Sequence, residues 1–563
     1  MNILGLNYFY HDSSACLVQD GVLTVAIEEE RLTRKKHTYS FPFKAIDRCL
    51  QVANITPDKI DAIAVSVKPE LDWFKRLVHG ISIFPKSVPF FKYEILLYYW
   101  KQKEFRAWVN KTWPQGSKRP AIHFIPHHLT HAAGTFFVSP YESAAILSID
   151  GSGEWASSML GHGHGNEVKT FSSSYFPMSL GSVYEAVTDF CGFKPCYDEG
   201  KTMGLAPMGD PEVFKDKVER IITVDAEGHI HVDTSYFTYQ YWAGGYCSDK
   251  FYREFGKPRK KGLGPFDKHH LDVAAAFQHV LEESCLQLAK ILKDKTKEKY
   301  LIIAGGVALN SVMNGRVIRE SAFDDVYVMP AAGDNGTAIG AAYYVLHGVH
   351  NEPRKFVHDN PYVGTEYSNE EIKSVLDECK LNAEYHDDIE AVTAKLLHDG
   401  EILCWFQGKM EIGPRALGNR SILANPTLPT MKDKINAEVK HREAYRPFAP
   451  SATVECKNEY FDLTVEDPFM LKVCHVLPEK RDVLPAITHV DGTARLQTVR
   501  KELNPRYHKL LTEFGKLSGV PVLLNTSFNI MDEPIVESPL QAIRCFFTTG
   551  LDKLVIGNYL IKK

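Results

Sequence analysis

The sequence lacks paired cysteines. Its 11 cysteines are spread over 563 residues without one CxxC pair, the spacing that zinc fingers and thiol-redox motifs use. No signal peptide precedes the first apolar segment, residues 2–6. Because disulfides persist mainly in secreted proteins, we expect reduced thiols and a cytoplasmic protein.

A membrane-length apolar run and an excess of positive charge are also missing. The most apolar aromatic-rich stretch, residues 90–100, contains Lys92 and Glu94 and is too short to span a bilayer. The 65 Lys and Arg residues are outnumbered by 70 Asp and Glu residues, for a net charge of -5, which leaves no electrostatic footprint for a polyanion. We therefore expect neither a membrane nor nucleic acid among the partners.

The patterns that are present predict a duplicated α/β fold. Hydrophobic residues make up 44% and charged residues 24% of the chain, as in ordinary soluble proteins, and the length suits two large domains. A strand, a polar loop, two strands joined by a turn and a helix occupy residues 2–53, and the same order returns in residues 144–191. Residues 69–113 interrupt the first copy as a helical insertion.

The composition changes between residues 351 and 385. Pro353, Pro361 and several acidic residues there indicate a linker. We therefore place a first domain at residues 1–350 and a second at residues 386–563.

His127 and His131 form the first candidate site. Their i, i+4 spacing places both imidazoles on one face if the segment is helical, as a metal ion requires of two histidine ligands. Asp150 follows the apolar run 144–149, which reads as a buried strand, and would be a third ligand at its end. A single histidine more often caps a helix or forms a hydrogen bond in a core, so the prediction depends on the whole group.

Two further strand ends carry residues that suit a ligand. Gly305 and Gly306 follow the strand 300–304, where paired glycines either let the backbone approach a nucleotide or allow close packing. Asp334 lies at a strand-to-helix corner and is either a fourth metal ligand or a helix cap.

Basic residues in the second domain lie among glycine, proline and aromatic residues. Such residues suit a small dianion such as a phosphate, and this composition is less typical of a solvated charged face. The basic candidates are Arg415 in GPRALGNRS, Lys440 and Arg446 in the stretch 440–450, and Arg495, with Asn525 and Ser527 at the end of a nearby strand.

These motifs together resemble the carbamoyltransferase family typified by the Nod-factor and tobramycin O-carbamoyltransferases. The resemblance covers nearly the whole chain, and its segments are specific in combination and order, whereas none is specific alone. The segments are 11–15, 28–31 with 35–37, HHLTH at 127–131 with Asp150, 305–310, 333–335, GPRALGNRS at 413–421, Lys440 with RPFAP at 446–450, and LLNTSFN at 523–529.

The resemblance implies an N-terminal actin-like domain, duplicated and of the ASKHA/Kae type, and a C-terminal YrdC-like α/β domain. The second domain would make carbamoyl-adenylate from carbamoyl phosphate and Mg-ATP. The first would transfer the carbamoyl group to a hydroxyl of a small-molecule natural product and release AMP. Such a step belongs to the biosynthesis of antibiotics or other secondary metabolites.

The resemblance also implies a role for each candidate residue. His11 would be catalytic, either as a general base or by stabilising a developing oxyanion. Iron is preferred to zinc as the metal, although both fit two histidines and two carboxylates. The implied ligands are His127, His131, Asp150 and Asp334 for the metal; Arg415, Lys440, Arg446, Arg495, Asn525 and Ser527 for carbamoyl phosphate; and Gly305, Gly306, Asn310 and Glu185 for the nucleotide.

Other functions stay open from the sequence. An actin-like fold with a nucleotide site also suits a small-molecule kinase, which would form ADP instead of AMP, pyrophosphate and phosphate. A tRNA-modifying or RNA-binding protein is disfavoured by the acidic net charge of -5. The acceptor is not identified by any pattern in the chain, and neither is the oligomeric state, for which a homodimer is one option.

Overall fold

The computed structural model describes residues 1–242, 245–262, 264–440, 442–443 and 445–563, with only the backbone of residues 93–95. His441 and Ala444 of the basic stretch 440–450 therefore lie outside the described residues. The chain forms two compact units, one of residues 1–29 and 37–358 and the other of residues 30–36 and 359–563.

The second unit includes residues 359–385 of the predicted linker. A helix at Asn369–Glu378 and a strand at Glu384–Tyr385 lie within residues 351–385, and the boundary between the units falls between His358 and Asp359. The early segment 30–36 is also part of this unit: Arg31 Nη2 donates to the carbonyl of Gly413 at 2.8 Å.

In the described part of the first unit, the strands form two five-stranded sheets and a two-stranded one. The strands are β1 Asn2–Asn7, β2 Ser14–Gln19, β3 Val22–Glu28, β4 Ala62–Val65, β5 Ala121–Phe124, β6 Ser143–Gly153, β7 Ala156–His164, β8 Glu167–Tyr175, β9 Ile222–Val224, β10 Ile230–Val232, β11 Tyr300–Ala304 and β12 Asp325–Tyr327.

The two large sheets have the same topology. Their orders are β3-β2-β1-β4-β5 and β8-β7-β6-β11-β12. In each, the first strand pairs antiparallel with the next strand in the chain and parallel with the strand on its other side. This repetition confirms the duplicated α/β fold expected from the sequence and is the arrangement of an actin-like domain.

Helices surround these sheets and form the insertion. They are α2 Phe43–Val52, α3 Trp73–Ser82, α4 Val88–Thr112, α5 His127–Phe136, α6 Leu180–Phe190, α7 Glu199–Leu205, α8 Lys215–Ile221, α9 Asp249–Phe255, α10 Lys268–Thr296, α11 Ser311–Glu320 and α12 Thr337–Tyr343. The short helix α1 Glu29–Thr33 begins at the last residue before the early segment 30–36 and otherwise belongs to the second unit. Helices α3 and α4 are the predicted insertion. In the part of the chain that is described, no helix combines the length and apolarity needed to cross a bilayer.

Helices α5 and α12 pack closely because glycine faces glycine. A Cβ on Gly134 would lie 2.9 Å from the Cα of Gly340, and a Cβ on Gly340 would lie 1.8 Å from the carbonyl oxygen of Thr130. On the other side of α12, a Cβ on Gly5 would lie 2.1 Å from the carbonyl oxygen of Ala338. Helix α12 is thus wedged between α5 and β1, with no room for side chains at these contacts.

The second unit is built on an eight-stranded sheet in the order β13-β23-β22-β14-β15-β21-β16-β20, beside a three-stranded sheet in the order β17-β18-β19. The strands are β13 Glu384–Tyr385, β14 Leu403–Phe406, β15 Arg420–Ala424, β16 Ala449–Thr453, β17 Phe461–Asp462, β18 Val473–Val476, β19 Thr493–Arg495, β20 Gln497–Val499, β21 Val522–Ser527, β22 Lys553–Ile556 and β23 Tyr559–Lys562.

Helices cover both faces of the large sheet. They are α13 Asn369–Glu378, α14 Ile389–His398, α15 Met431–Ile435, α16 Lys457–Tyr460, α17 Pro505–Ser518 and α18 Pro539–Phe547. Along β14, Leu403 and Trp405 pack in one hydrophobic cluster with α14 and α17, whereas Cys404 and Phe406 pack in the other with α13, α15 and α18. This alternation follows from the two-residue period of a strand and confirms the expected α/β class.

Candidate metal centre and anion site

Helix α5 brings two imidazoles together in the first unit. His127 begins the helix and His131 lies one turn later, so the two Nε2 atoms are 3.0 Å apart. His128 does not join them, because its Nδ1 lies 2.9 Å from Ser148 Oγ and its Nε2 lies 3.1 Å from the carbonyl oxygen of Ala156.

Two carboxylates face these imidazoles. Asp150 on β6 places Oδ2 2.8 Å from His131 Nε2 and 3.3 Å from His127 Nε2. Asp334 precedes α12 and places Oδ1 3.3 Å from His127 Nε2 and 3.4 Å from His131 Nε2. All four residues are buried, and their donor atoms lie within 4.8 Å of one another. The structure therefore brings together the four residues predicted to bind a metal.

The charges of this cluster suit a cation. Burial opposes ionisation, but the hydrogen bonds and charges of His127 and His131 hold the pKa of Asp150 well below its ordinary value. Burial also opposes protonation of His127, yet Asp334 and Asp150 raise the pKa of His127 to about 10. Without a metal, the protonated imidazoles supply the positive charge that two buried, ionised carboxylates require; a bound cation would supply it instead and release the imidazole protons. Imidazole and carboxylate donors fit iron or zinc.

His11 lies at the edge of the cluster. Its Nε2 is 3.8 Å from Asp334 Oδ2, and its Nδ1 is 3.1 Å from Asp12 Oδ2. Asp12 is also held by His37, whose Nδ1 lies 2.7 Å from Asp12 Oδ1. Burial lowers the pKa of His11, but the charges of Asp334 and Asp12 outweigh it and raise the pKa well above its ordinary value. This imidazole therefore favours the hydrogen-bond donor form.

Three of the residues predicted to hold a nucleotide border residues 149–151 at the end of β6. Gly305 has a φ of +90°, and a Cβ there would lie 2.1 Å from the carbonyl oxygen of Ile149. A Cβ on Gly306 would lie 2.9 Å from Asp150 Oδ1. Glu185 Oε1 would lie 3.1 Å from a Cβ on Gly151, and burial, followed by the charge of Glu199, raises the pKa of Glu185 to about 8.

Asn310, the fourth of these residues, has a side chain that is already engaged. Its Oδ1 accepts from the backbone N–H of Met313 at 3.1 Å, which caps α11. Its Nδ2 donates to Gln278 Oε1 at 2.9 Å. Asn310 therefore shapes the turn after Gly306 through hydrogen bonds within the protein.

In the second unit, Lys440 lies at the end of a π-helical turn, Asn436–Lys440. Its Nζ donates to the carbonyl oxygens of Ser527 and Asn529 at 2.5 and 3.0 Å and to Asn529 Oδ1 at 2.9 Å. Burial, followed by the charge of Arg442, lowers the pKa of Lys440 to about 7. This amine thus titrates near neutral pH and links the π-helical turn to the end of β21.

The predicted basic residues of this unit act on one another electrostatically. Burial and the charges of Arg495 and Arg446 lower the pKa of Arg415, while burial lowers that of Arg495 to about 10. Arg442 joins them, because burial and the charges of Arg446 and Arg495 lower its pKa as well. The Nε atoms of Arg415 and Arg495 are buried and have no hydrogen-bond partner among the described residues. We call Arg415, Arg442, Arg446 and Arg495 the cationic cluster; such a group of positive charges suits the binding of an anion.

The loop that carries Arg415 is held from within the same unit. Glu411 Oε1 accepts from the backbone N–H groups of Leu417 and Arg420 at 2.6 and 3.2 Å. The hydroxyl of Tyr362 donates to the carbonyl oxygen of Leu417 at 2.6 Å. Asn525 completes the support, since its Nδ2 donates to the carbonyl oxygen of Ala416 at 3.3 Å.

Two family models match most of the chain. Residues 2–343 match the N-terminal part of the carbamoyltransferase family, described as Carbamoyltransferase N-terminus, and residues 394–563 match Carbamoyltransferase C-terminus. The chain belongs to the carbamoyltransferase family. It is thus an enzyme of the carbamoyltransferase type, and the small-molecule kinase considered from the sequence is not favoured.

Relatives of this carbamoyltransferase include nodulation proteins and a cephem O-carbamoyltransferase. Nodulation protein NolNO of Sinorhizobium fredii is 40% identical over 99% of this chain and 80% of its own length. The 3'-hydroxymethylcephem-O-carbamoyltransferase of Amycolatopsis lactamdurans is 36% identical over 51% of this chain and 52% of its own. An uncharacterised Synechocystis protein is 39% identical over 100% of this chain and 97% of its own.

Solved structures align with a part of the chain. Full-length HypF in its phosphate- and nucleotide-bound form covers 61% of this chain and 46% of its own, at 11% identity and a TM-score of 0.32. Component A of the Acidaminococcus fermentans (R)-2-hydroxyglutaryl-CoA dehydratase covers 61% of this chain and 97% of its own, at 13% identity and a TM-score of 0.31.

Sequence reasoning did not single out three residues that the structure places beside the candidate sites. They are Glu154 next to the histidine helix, Arg442 in the cationic cluster and Asn529 beside Lys440. Arg442 and Asn529 lie inside motifs that carried the resemblance or the basic stretch, which was a usable signal. Glu154 has no such signal, because its partner lies 27 residues away in the chain.

Proposed function

We propose that this carbamoyltransferase works in two stages, forming carbamoyl-adenylate in the second unit and transferring the carbamoyl group to an alcohol in the first. The observation that carries the proposal is the cationic cluster, in which buried guanidinium nitrogens of Arg415 and Arg495 have no partner among the described residues. A chain with an anion site in one unit and a buried histidine–aspartate cluster in the other has chemically distinct places for the two stages.

In the first stage, the cationic cluster binds carbamoyl phosphate. Arg415, Arg446 and Arg495 neutralise the phosphate dianion, with Lys440, Asn525 and Ser527 supplying further polar groups. Water releases phosphate and leaves carbamate. A carbamate oxygen then attacks the α-phosphorus of Mg-ATP, so that one P–O bond forms, another breaks and pyrophosphate leaves. Arg442 adds positive charge that stabilises the leaving groups.

In the second stage, an alcohol attacks the carbonyl carbon of the adenylate and AMP leaves. A divalent metal would be held by His127, His131, Asp150 and Asp334. When bound, this metal, for which iron is preferred to zinc, would supply Lewis acidity. Glycine at 305 and 306 lets the nucleotide approach Asp150, and Glu185 borders the same loop. His11, whose Nε2 lies 3.8 Å from Asp334 Oδ2, would either take the proton of the alcohol as a general base or stabilise the developing oxyanion.

The acceptor is a hydroxylated small molecule. One relative is named for an acceptor that carries a hydroxymethyl group, and others are named as nodulation proteins. We infer an alcohol of a natural product, with no preference among such scaffolds. A secondary-metabolite pathway in the cytoplasm is the setting we propose.

Separating the two stages tests this function. His131→Ala should abolish carbamoyl transfer while ATP-dependent pyrophosphate release in the presence of carbamoyl phosphate continues. Lys440→Ala should block adenylate formation while transfer from supplied carbamoyl-adenylate continues. His162→Ala, at a half-exposed histidine paired with Glu298, is the control and should retain both stages.

Nucleotide chromatography measures the outcome. AMP, pyrophosphate and phosphate are expected as products, and ADP with a phosphorylated acceptor would instead support a kinase. Loss of both stages in either folded variant would show that the division of labour is wrong.

A further inference from the structure

The helix that carries both candidate histidine ligands receives no side-chain cap from its own N-cap residue. Pro126 occupies the N-cap position of α5 and provides no side-chain hydrogen bond. The first backbone N–H groups of a helix have no partner within it, so a buried helix start requires one from elsewhere. Glu154 provides it, since Oε1 and Oε2 each lie 3.1 Å from the backbone nitrogen of His127.

Glu154 belongs to the loop that follows Asp150. The same carboxylate also accepts from the backbone N–H of Lys68 at 2.7 Å, and the residue is only 6% exposed. Thus one side chain connects the strand that supplies Asp150 to the start of the helix that supplies His127. The positive end of the helix dipole also stabilises the negative charge of this carboxylate.

The backbone of Glu154 is itself fixed by its neighbours. Its φ of 45° lies in the left-handed region, which a non-glycine residue adopts only when its surroundings impose it. Its N–H donates to the hydroxyl of Tyr10 at 2.6 Å, and this hydroxyl lies 2.5 Å from that of Tyr98 on α4. The Tyr10 ring meets the His127 imidazole edge-on, with ring centroids 5.3 Å apart.

We propose that Glu154 is a positioning residue of the metal centre: it fixes His127 relative to Asp150 without touching a metal-donor atom. The inference rests on the metal site of the proposed function. The carboxylate of Glu154 accepts from the backbone N–H of His127, whereas the atom of His127 that faces the other metal ligands is Nε2. Metal–ligand distances tolerate only about 0.2 Å of error, so releasing the start of α5 weakens binding although all four ligands remain.

Metal affinity of the full-length protein tests the proposal. Zn²⁺ and Co²⁺ dissociation constants are measured by competition with a chromophoric chelator, and the Co²⁺ absorption spectrum reports the ligand geometry. Glu154→Ala should weaken binding at least tenfold and change the Co²⁺ spectrum. Glu154→Gln, which keeps one acceptor oxygen, should show a smaller loss. Glu298→Ala, which removes a carboxylate bonded to Ser143 and His162 instead, should bind metal as the wild type does.

The outcomes separate the proposal from the function on which it rests. Wild-type metal affinity and spectrum in folded Glu154→Ala would overturn the positioning role and leave a purely structural cap. If Glu154→Ala does not fold, Glu154→Gln decides by the same criteria. If the wild-type protein binds no metal, or binds it equally well after His131→Ala, the metal centre itself is wrong, and the positioning role falls with it.

Discussion

Alanine at position 306 should displace a candidate metal ligand without removing it. A Cβ on Gly306 would lie 2.9 Å from Asp150 Oδ1, whereas ordinary contacts of a Cβ begin at 3.4 Å. The carboxylate must therefore retreat by about 0.5 Å, more than the ~0.2 Å that a metal–ligand distance tolerates. We expect metal affinity to fall about 10- to 100-fold, which corresponds to about 1.4 to 2.8 kcal/mol.

Chelator competition without nucleotide measures this effect, so that any nucleotide contact of the glycine turn does not contribute. Gly333→Ala is the matched control, because its Cβ would meet its nearest neighbour, Leu309 Cδ1, at 3.5 Å. Neither glycine has a φ in the left-handed region, so backbone strain is the same in both variants. Wild-type affinity in Gly306→Ala, or an equal loss in Gly333→Ala, would refute the reasoning.

The remaining predictions concern the anion site and the packing of the helices. Because the pKa of Lys440 is lowered to about 7, the affinity for sulfate, whose own charge does not change near neutral pH, should fall as pH rises through 7 when measured by calorimetry. The unfolded chain keeps this proton to about pH 10, so the contribution of Lys440 to the free energy of unfolding rises between about pH 7 and 10. A flat affinity profile from pH 6 to 8.5 would contradict this assignment. Arg442→Ala should weaken phosphate binding about tenfold, whereas Arg500→Ala, at an arginine paired with Glu466, should not; equal effects would remove Arg442 from the site. Gly340→Ala should lower the free energy of unfolding of the first unit by about 3 kcal/mol through overpacking against Thr130, as followed by calorimetry, while pyrophosphate release by the second unit persists; an unchanged transition would show that α5 and α12 can separate freely.

The parts of the fold and site that depend on local periodicity were predictable from the sequence. The i, i+4 spacing of His127 and His131 predicted that both imidazoles would share one face if the segment were helical, and α5 is that helix. The order of strands and turns gave the duplication, because each sheet is built mostly from consecutive strands. The role assigned to each site residue stays a prediction. The structure adds the distances between the side chains of these residues.

The parts that depend on distant contacts were not predictable. Glu154 gains its role from the start of a helix that lies earlier in the chain, and no local pattern marks it. For Asp334, the local pattern taken alone favoured a helix cap, and only the resemblance implied a metal ligand. Its proximity to His127 follows from the tight crossing of α5 and α12, which glycines permit. Residues 351–385 contain prolines and charges that suggest a linker, yet part of this stretch packs on the second sheet through Ile372 and Leu376.

The early segment 30–36 has a consequence for inheritance and for engineering. It belongs to the second unit, where Arg31 bonds the carbonyl of Gly413 and Arg34 bonds that of Ile535. A polypeptide starting at residue 359 would lose both arginines and the hydrogen bonds that they donate, one of them to the start of the GPRALGNRS loop. Splitting the gene at that boundary would therefore give an incomplete second half, which favours keeping both halves in one reading frame.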